Sequence, residues 1–382
     1  MGQTVIFSVI NDISTDQRVL RSAFVFEELG YKIHIIGRKL KSHYGEDRYR
    51  CTRLSLPFKK GIGMYVCYNL SLLIKLFSIC FTRNKNESVI LFSNDLDTLL
   101  PNFLVSKLFN LQIIYDSHEL FTEVPELINR PIKRKIWLLL EQIIVPKLKY
   151  CITVNNSIAN IFFSKYKVPF NVVRNISDAP DIEEKNIKTR QDLNLPVNKK
   201  IILLQGAGIN IDRGAEELIL SAKYLSDEYL ILIIGSGDVF EQLKQLVITH
   251  NLSNKVLIKN KMSYSELFHY TKNCDLGISI DKATSPNYLY SLPNKIFSYI
   301  HAGLPILASH LPEIENIITQ YQIGIFIDNH TPKHIAEKIQ YFISSQEYQQ
   351  CKCNTMVASR DLTWSKEKEQ LVKIIKKAET KS

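Results

Sequence analysis

Short apolar runs alternate with stretches of helical period through most of this chain. Residues 5–10, 32–36, 89–93, 112–115 and 151–154 have strand length and are mostly apolar. Between them, residues 16–29 carry helical spacing that stops at Gly30, residues 132–148 predict a long helix with Pro146 near its end, and 157–166 predict another. Strands that are apolar on both faces and separated by helices belong to parallel sheets covered on both sides. Residues 178–200 break the pattern with Pro180, Pro196 and many charges, which predicts a linker. The alternation then restarts, with strands over 201–205, 230–234, 256–259, 276–280 and 305–308. Helices are expected up to 225 and over 239–250, 263–272 and 295–301. The fold class expected is α/β, with two Rossmann-like, doubly wound parallel-sheet domains facing a central cleft.

Length agrees, since 382 residues exceed one ordinary core and fit two domains. Lys and Arg exceed Asp and Glu by 48 to 38, and a basic surface attracts phosphates of any origin. The basic residues are dispersed and no nucleic-acid motif accompanies them, so nucleic acid is not an expected partner. Seven cysteines without repeated spacing are those of free thiols in a reducing compartment. Cys351 and Cys353 form only a C-x-C, which does not make a zinc site. The N-terminus reads as a first strand with no basic leader, so a cytoplasmic location is expected. Residues 64–81 are strongly apolar but include Asn69 and Lys75. A helix packed on a sheet is expected there ahead of one lying in a bilayer interface, and a span least of all.

Ligands of open α/β sheets bind beyond the carboxyl ends of the strands. After the run 201–205 come Gly206 and Gly208, then Arg213-Gly214 opening a helix, small residues and a cation suited to a phosphate. A plain turn needing glycine is the competing explanation. After 230–234 come Gly235 and Gly237, but Phe240 stands where a dinucleotide fingerprint has its third glycine, which disfavours a nicotinamide or flavin enzyme. In the loop 285–297, Lys295 opens a helix, a position set against the helix dipole unless an anion binds there too. Asp95-Leu96-Asp97 has the look of a metal-binding pair, but a helix N-cap explains it more simply and no metal is expected. His118 follows a strand end, with Glu119 and Glu123 close behind.

Taken in order, Asn11-Asp12-Ile13-Ser14-Thr15-Asp16-Gln17-Arg18-Val19, Tyr115-Asp116-Ser117-His118-Glu119, Arg213-Gly214, Gly235-Ser236-Gly237, Pro293-Asn294-Lys295 and Ala302-Gly303-Leu304-Pro305 resemble GT-B fold glycosyltransferases, glycosyltransferase family 4 above all. The resemblance runs to Leu362-Thr363-Trp364-Ser365 before a final helix. It implies an N-terminal acceptor domain over 1–177, a linker over 178–200, a nucleotide-sugar domain over 201–360 and a segment 361–382 returning to the first domain. It further implies retaining, metal-independent transfer from a nucleotide sugar to a glycan or lipid-linked acceptor, with no cofactor required. Such an enzyme would serve cell-surface polysaccharide or glycoconjugate synthesis at the inner face of the cell membrane, touching anionic lipid.

Residue by residue, the resemblance makes Arg213 and Lys295 the cations that grip the donor diphosphate and His118 the histidine facing the donor sugar. Gly206, Gly208, Gly235 and Gly237 would line the nucleotide pocket. Lys259, Asn260 and Met262 would flank the base, and Asn294 and Ser298 would lie on the donor helix. Asn11, Asp16 and Arg18 would border the acceptor. One departure stands out. The family carries two glutamates eight positions apart, and they fall here on Tyr290 and Ser298. Ser298 cannot accept the bidentate ribose contact of a carboxylate. Two other functions therefore stay open: a nucleotide-sugar epimerase of the same architecture, needing His118 with Glu119 or Glu123 as acid and base, and a catalytically silent nucleotide-sugar-binding subunit.

Overall fold

The structure is a computed structural model that describes residues 2–11, 13, 16–40, 47–84 and 87–379. Asp12, Ser14 and Thr15 of the N-terminal loop, and the residues after Glu379, lie outside the described residues.

The strands are β1 (Gln3–Ser8), β2 (Lys32–Arg38), β3 (Arg50–Leu54), β4 (Ser88–Asn94), β5 (Gln112–Ser117), β6 (Tyr150–Thr153) and β7 (Asn171–Val172), then β8 (Lys200–Gly206), β9 (Tyr229–Gly235), β10 (Val256–Asn260), β11 (Leu276–Ser279), β12 (Ile306–Ser309) and β13 (Gly324–Ile327). They form a seven-stranded sheet, β3-β2-β1-β4-β5-β6-β7, and a six-stranded sheet, β10-β9-β8-β11-β12-β13. Pairing throughout the described strands is parallel. In each sheet the order reverses beside the first strand, the doubly wound arrangement that opens a crevice at the strand ends.

Burial on both faces explains the apolar runs. Val5, Ile6 and Phe7 in β1 are fully buried, as are Ile231, Leu232 and Ile233 in β9. Helix Gln17–Glu28 begins where the Asp16 carboxylate accepts the Val19 N–H at 3.2 Å. Helix Asn294–Ala302 ends at Gly303, whose φ of +75° is a left-handed cap.

The chain divides into two compact units, one of residues up to Asn175 together with those from Glu367, the other Ile176–Lys366. The stretch 178–200 is therefore not a free linker. Leu193 and Leu195 are buried in the core of the second unit, and Arg190 pairs with Asp275 at 2.8 Å while also donating to the carbonyls of Asn273 and Lys199. Charge density there marks an ion-paired surface coil and not a tether. Helix Pro131–Ile144 is shorter than its apolar run because Pro146 forces a tighter turn over Val145–Lys147.

Candidate active site

In the second unit the chemistry gathers at the carboxyl ends of adjacent strands. The register sets Gly206 of β8 opposite Gly235 of β9, and Gly235 opposite Asn260 of β10. Lys259 stands over the Tyr270 ring at 5.2 Å, and Met262 packs half-buried on the core.

The glycines differ in cause. A Cβ on Gly235 would lie 1.8 Å from the Gly206 carbonyl oxygen, and one on Gly237 would lie 2.0 Å from that of Ile209. Chain packing alone demands glycine at both. Around Gly206 and Gly208 a Cβ would meet nothing closer than 3.8 Å, and neither has a left-handed φ. Nothing inside the chain requires those two to be small.

Beyond β11, on the other side of β8, lies Asp281, which is fully buried. Arg213 Nη1 reaches its Oδ1 at 2.8 Å and Lys295 Nζ its Oδ2 at 3.0 Å. Gly214, with φ +76° and Ile280 O 2.4 Å from where a Cβ would sit, makes the turn that brings Arg213 in. The Tyr288 ring lies under the guanidinium at 4.1 Å. Burial pushes the Asp281 carboxyl up, but Lys295 and Arg213 outweigh it and hold the carboxyl below its ordinary range. Burial lowers Lys295 from the ordinary lysine value despite Asp281. For Arg213, burial is outweighed by Asp281 and its value is raised. Two cations against one carboxylate leave one positive charge over, and Arg213 Nε is buried without a hydrogen-bond partner. Helix Ala215–Ser221 is shorter than the expected one and carries Glu216 and Glu217 in its first turn. Glu217 is paired with Lys282 at 2.6 Å, and negative charge in the first turn offsets the pull of that N-terminus on an anion, so the attraction falls to Arg213 and Lys295. Asn294 is exposed at the start of its helix, and Ser298 is buried with its hydroxyl donating to Asn294 O at 3.4 Å.

The first unit has its own charged cluster at the ends of β4 and β5. His118 Nδ1 is 3.2 Å from Asp95 Oδ2, and Nε2 is 3.3 Å from Asp116 Oδ2 but off the line of a hydrogen bond. The His118 N–H donates to Asp95 Oδ1 at 2.8 Å. Asp95 has φ +59°, an uncommon conformation for a non-glycine residue, and sits at the N-cap of helix Leu96–Phe109 without capping it. The helix-cap expectation is thus corrected: the carboxylate turns to the histidine. Burial pulls the His118 imidazole down, but Asp95 and Asp116 together hold its pKa well above the ordinary value. Asp97 is buried and pushed well above the carboxylate range by that burial.

Arg18, expected on the acceptor side, is turned into the fold. Only 4% exposed, it forks onto Asp116 at 2.9 and 2.6 Å and donates to Val173 O at 2.9 Å, which spends its guanidinium inside the fold. Asn11 is exposed and reaches Asp16 Oδ2 at 3.5 Å. Glu123 is held by Arg134 at 2.7 Å and Lys165 at 3.7 Å, so the carboxylates at His118 are Asp95 and Asp116 in place of the expected glutamates. The carboxylates Asp95, Asp116 and Asp281 are what sequence reasoning missed. Their one common signal is an acid at or just after the end of an apolar run.

Residues 185–355 match the family model for glycosyl transferases group 1. A chitobiosyldiphosphodolichol beta-mannosyltransferase from Candida albicans is 20% identical over 356 residues, 86% of this chain and 77% of that protein. Among solved structures, a sucrose-phosphate synthase from Thermosynechococcus elongatus superposes with a TM-score of 0.77 at 16% identity over the full length of both chains. Anabaena HepE in complex with UDP-glucose gives 0.74 at 12% identity, covering 98% of this chain and 99% of that one. With a group 1 domain in its second unit and this two-sheet architecture throughout, the chain is a glycosyltransferase of the GT-B fold.

Proposed function

We propose that the enzyme transfers a glycosyl group from a nucleotide sugar to a glycan or lipid-linked acceptor, with retention of configuration, in cell-surface polysaccharide or glycoconjugate synthesis at the inner face of the cell membrane. The observation that carries the donor half is the trio Arg213, Lys295 and Asp281. Departure of a nucleoside diphosphate is the hard step, and the surplus positive charge there would stabilise charge growing on the leaving phosphate. Asp281 pins both cations in place before the donor arrives, so little reorganisation is needed. Gly206 and Gly208, small for no internal reason, would let the backbone approach the nucleotide. Lys259, Asn260 and Met262 would flank the base. Support for a nucleotide sugar also comes from HepE, crystallised with UDP-glucose, and support for a lipid-linked acceptor from the fungal relative.

Retention is argued from His118. An imidazole held protonated between Asp95 and Asp116 is a poor base for an acceptor hydroxyl. With Nδ1 against Asp95 and Nε2 buried beside Asp116, it would act on the donor sugar through its position and charge, while a leaving phosphate oxygen takes the acceptor proton. Arg213→Ala and Lys295→Ala should each raise the barrier by about 2 to 4 kcal/mol, roughly thirty- to a thousand-fold in turnover. Thermal melts should show both variants folded. Undiminished turnover would sink the assignment. In the same assay, proton NMR of the product reads the anomer. The fungal relative is named for a β-linked product, and a β product here from an α-linked donor would replace retention with inversion.

A further inference from the structure

The first unit carries a surface that its own packing does not explain. Helix Gly61–Thr82 is apolar nearly all round, with one charged residue, Lys75. Its inner stripe, Met64, Tyr68, Leu72, Leu76 and Cys80, is buried. Its outer stripe, Ile62, Val66, Leu70, Ile74 and Phe81, is 51 to 71% exposed. Soluble surface helices put a polar face outward, and this one offers only the narrow stripe Ser71, Lys75, Ser78 and Thr82 beside its exposed apolar one.

The neighbouring helices extend the same face. Helix Leu96–Phe109 packs against Gly61–Thr82, and helix Pro131–Ile144 against Leu96–Phe109. The rings of Tyr65 and Trp137 meet edge to face at 5.3 Å and tie the first of these helices to the last. In Pro131–Ile144 the usual orientation is reversed. Ile132, Ile136, Leu139 and Ile143 share one stripe and stand 46 to 76% exposed, while Glu141 is buried and hydrogen-bonded to Tyr166. Leu104 and Leu108 expose 45 and 65% between them and the first helix. A contiguous apolar face of this extent marks an interaction site.

Charge names the partner. Apart from the buried Asp97 and Glu141, every charged residue on these three helices is basic: Lys75, Lys107, Lys133, Arg134 and Lys135. Lys147 joins Lys107 over the Phe103 ring, at 5.9 and 5.5 Å, fixing two ammonium groups at the edge. A second copy of the chain would bring like charges face to face. An anionic lipid leaflet offers acyl chains to the stripe and phosphates to the lysines. Spanning the bilayer is a poorer fit for helix Gly61–Thr82, because Tyr68 donates to Val9 O at 2.7 Å and Asn69 to Asp97 O at 3.0 Å, bonds that hold it along the unit.

We propose that the outer face of helices Gly61–Thr82, Leu96–Phe109 and Pro131–Ile144 is a membrane-docking surface, lying in the interface of an anionic leaflet with its isoleucines, leucines and Phe81 in the acyl boundary. The proposal deepens the lipid-linked-acceptor reading and rests on it for its purpose, bringing the acceptor unit to where such an acceptor resides.

The test is co-sedimentation of the full chain with vesicles of phosphatidylcholine, alone or mixed with phosphatidylglycerol. Wild type should partition onto the mixed vesicles at low salt. Ile74→Glu with Leu139→Glu should reduce that partition at least about ten-fold. Lys133→Gln with Lys135→Gln should cost about five-fold per lysine at low salt and little at high salt. Thermal melts, together with calorimetric binding of UDP and GDP, show separately whether each variant is folded and whether the donor site works. Wild type that binds vesicles but neither nucleotide supports the surface and counts against the donor reading. The proposal is overturned if folded Ile74→Glu/Leu139→Glu protein sediments like wild type, if wild type ignores phosphatidylglycerol, or if light scattering shows a wild-type dimer that this double variant dissociates.

Discussion

His118 is held between Asp95 and Asp116, and Asp116 in turn is held by the Arg18 fork. The chain of charges runs from a fully buried ion pair out to an imidazole that is 18% exposed. Burial pushes Asp116 up, yet Arg18 and then His118 hold it below the ordinary carboxylate range. The imidazole shows the opposite sign, its pKa raised in the fold by the two carboxylates. A raised folded pKa gives stability that is complete below about pH 6.5 and lost as pH climbs through the folded value. Urea unfolding of the first unit should therefore show stability falling from neutral pH into the alkaline range. His118→Gln should flatten that slope, and a slope unchanged in this variant would show that the imidazole is not the titrating group. Asp116→Asn removes one of the two carboxylates and strands the buried Arg18, so it should cost about 3 to 5 kcal/mol and move the alkaline loss to lower pH. The sequence placed His118 after a strand end, but it could not show which acids face it. Asp95 and Asp116 stand 21 positions apart and become neighbours only through the register that pairs Asn94 with Asp116.

Among the elements, the two glycine turns look alike in sequence and differ in physical cause. Gly235 and Gly237 are small because the turn after β9 crosses the turn after β8 within backbone contact. Gly206 and Gly208 have room for a methyl group. Gly235→Ala should drive a backbone clash and lower the melting temperature of the second unit by many degrees. Gly208→Ala should leave the melt unchanged and weaken nucleotide-sugar binding, measured by calorimetry. If Gly208→Ala binds as tightly as wild type, that turn does not approach the donor. Central strands such as β1, β4, β8 and β9 were legible because burial on both faces writes an unbroken apolar run. The edge strand β3, Arg50-Cys51-Thr52-Arg53-Leu54, was not legible because one side is unpaired and none of its residues is fully buried, so no apolar run marks it. Arg213 and Lys295 were legible as cations in the right loops, whereas Asp281, which joins them, lies 68 and 14 positions away with no motif around it.

On the scale of the whole molecule, the second unit is one continuous stretch, while the first is completed by the far end of the chain. Helix Trp364–Glu379 is where this is decided. From Glu367 on, its contacts are with the first unit. The Glu367 carboxylate takes the Arg174 backbone N–H at 2.7 Å and its Nε at 2.8 Å, Lys368 pairs with Glu28 at 2.6 Å, and Tyr31 donates to Glu379 at 2.5 Å. Tyr150 of β6 donates to the Lys377 carbonyl at 2.9 Å. Leu371, Ile374 and Ile375 are each at most 3% exposed. Burying three such side chains contributes about 5 to 9 kcal/mol, which is of the order of a whole domain's net stability. A chain ending at Lys366 should therefore lose its first unit selectively. Hydrogen exchange read by mass spectrometry should show β1, β2 and β4 to β6 losing protection while β8 to β12 keep theirs, and nucleotide binding at Arg213 and Lys295 should survive. Glu367→Ala should give a milder form of the same pattern, about 3 kcal/mol, because it leaves the partly buried Arg174 without its partner. If truncation instead melts both sheets together, the two units fold as one cooperative block and the helix stabilises the whole chain, not the unit it lies on.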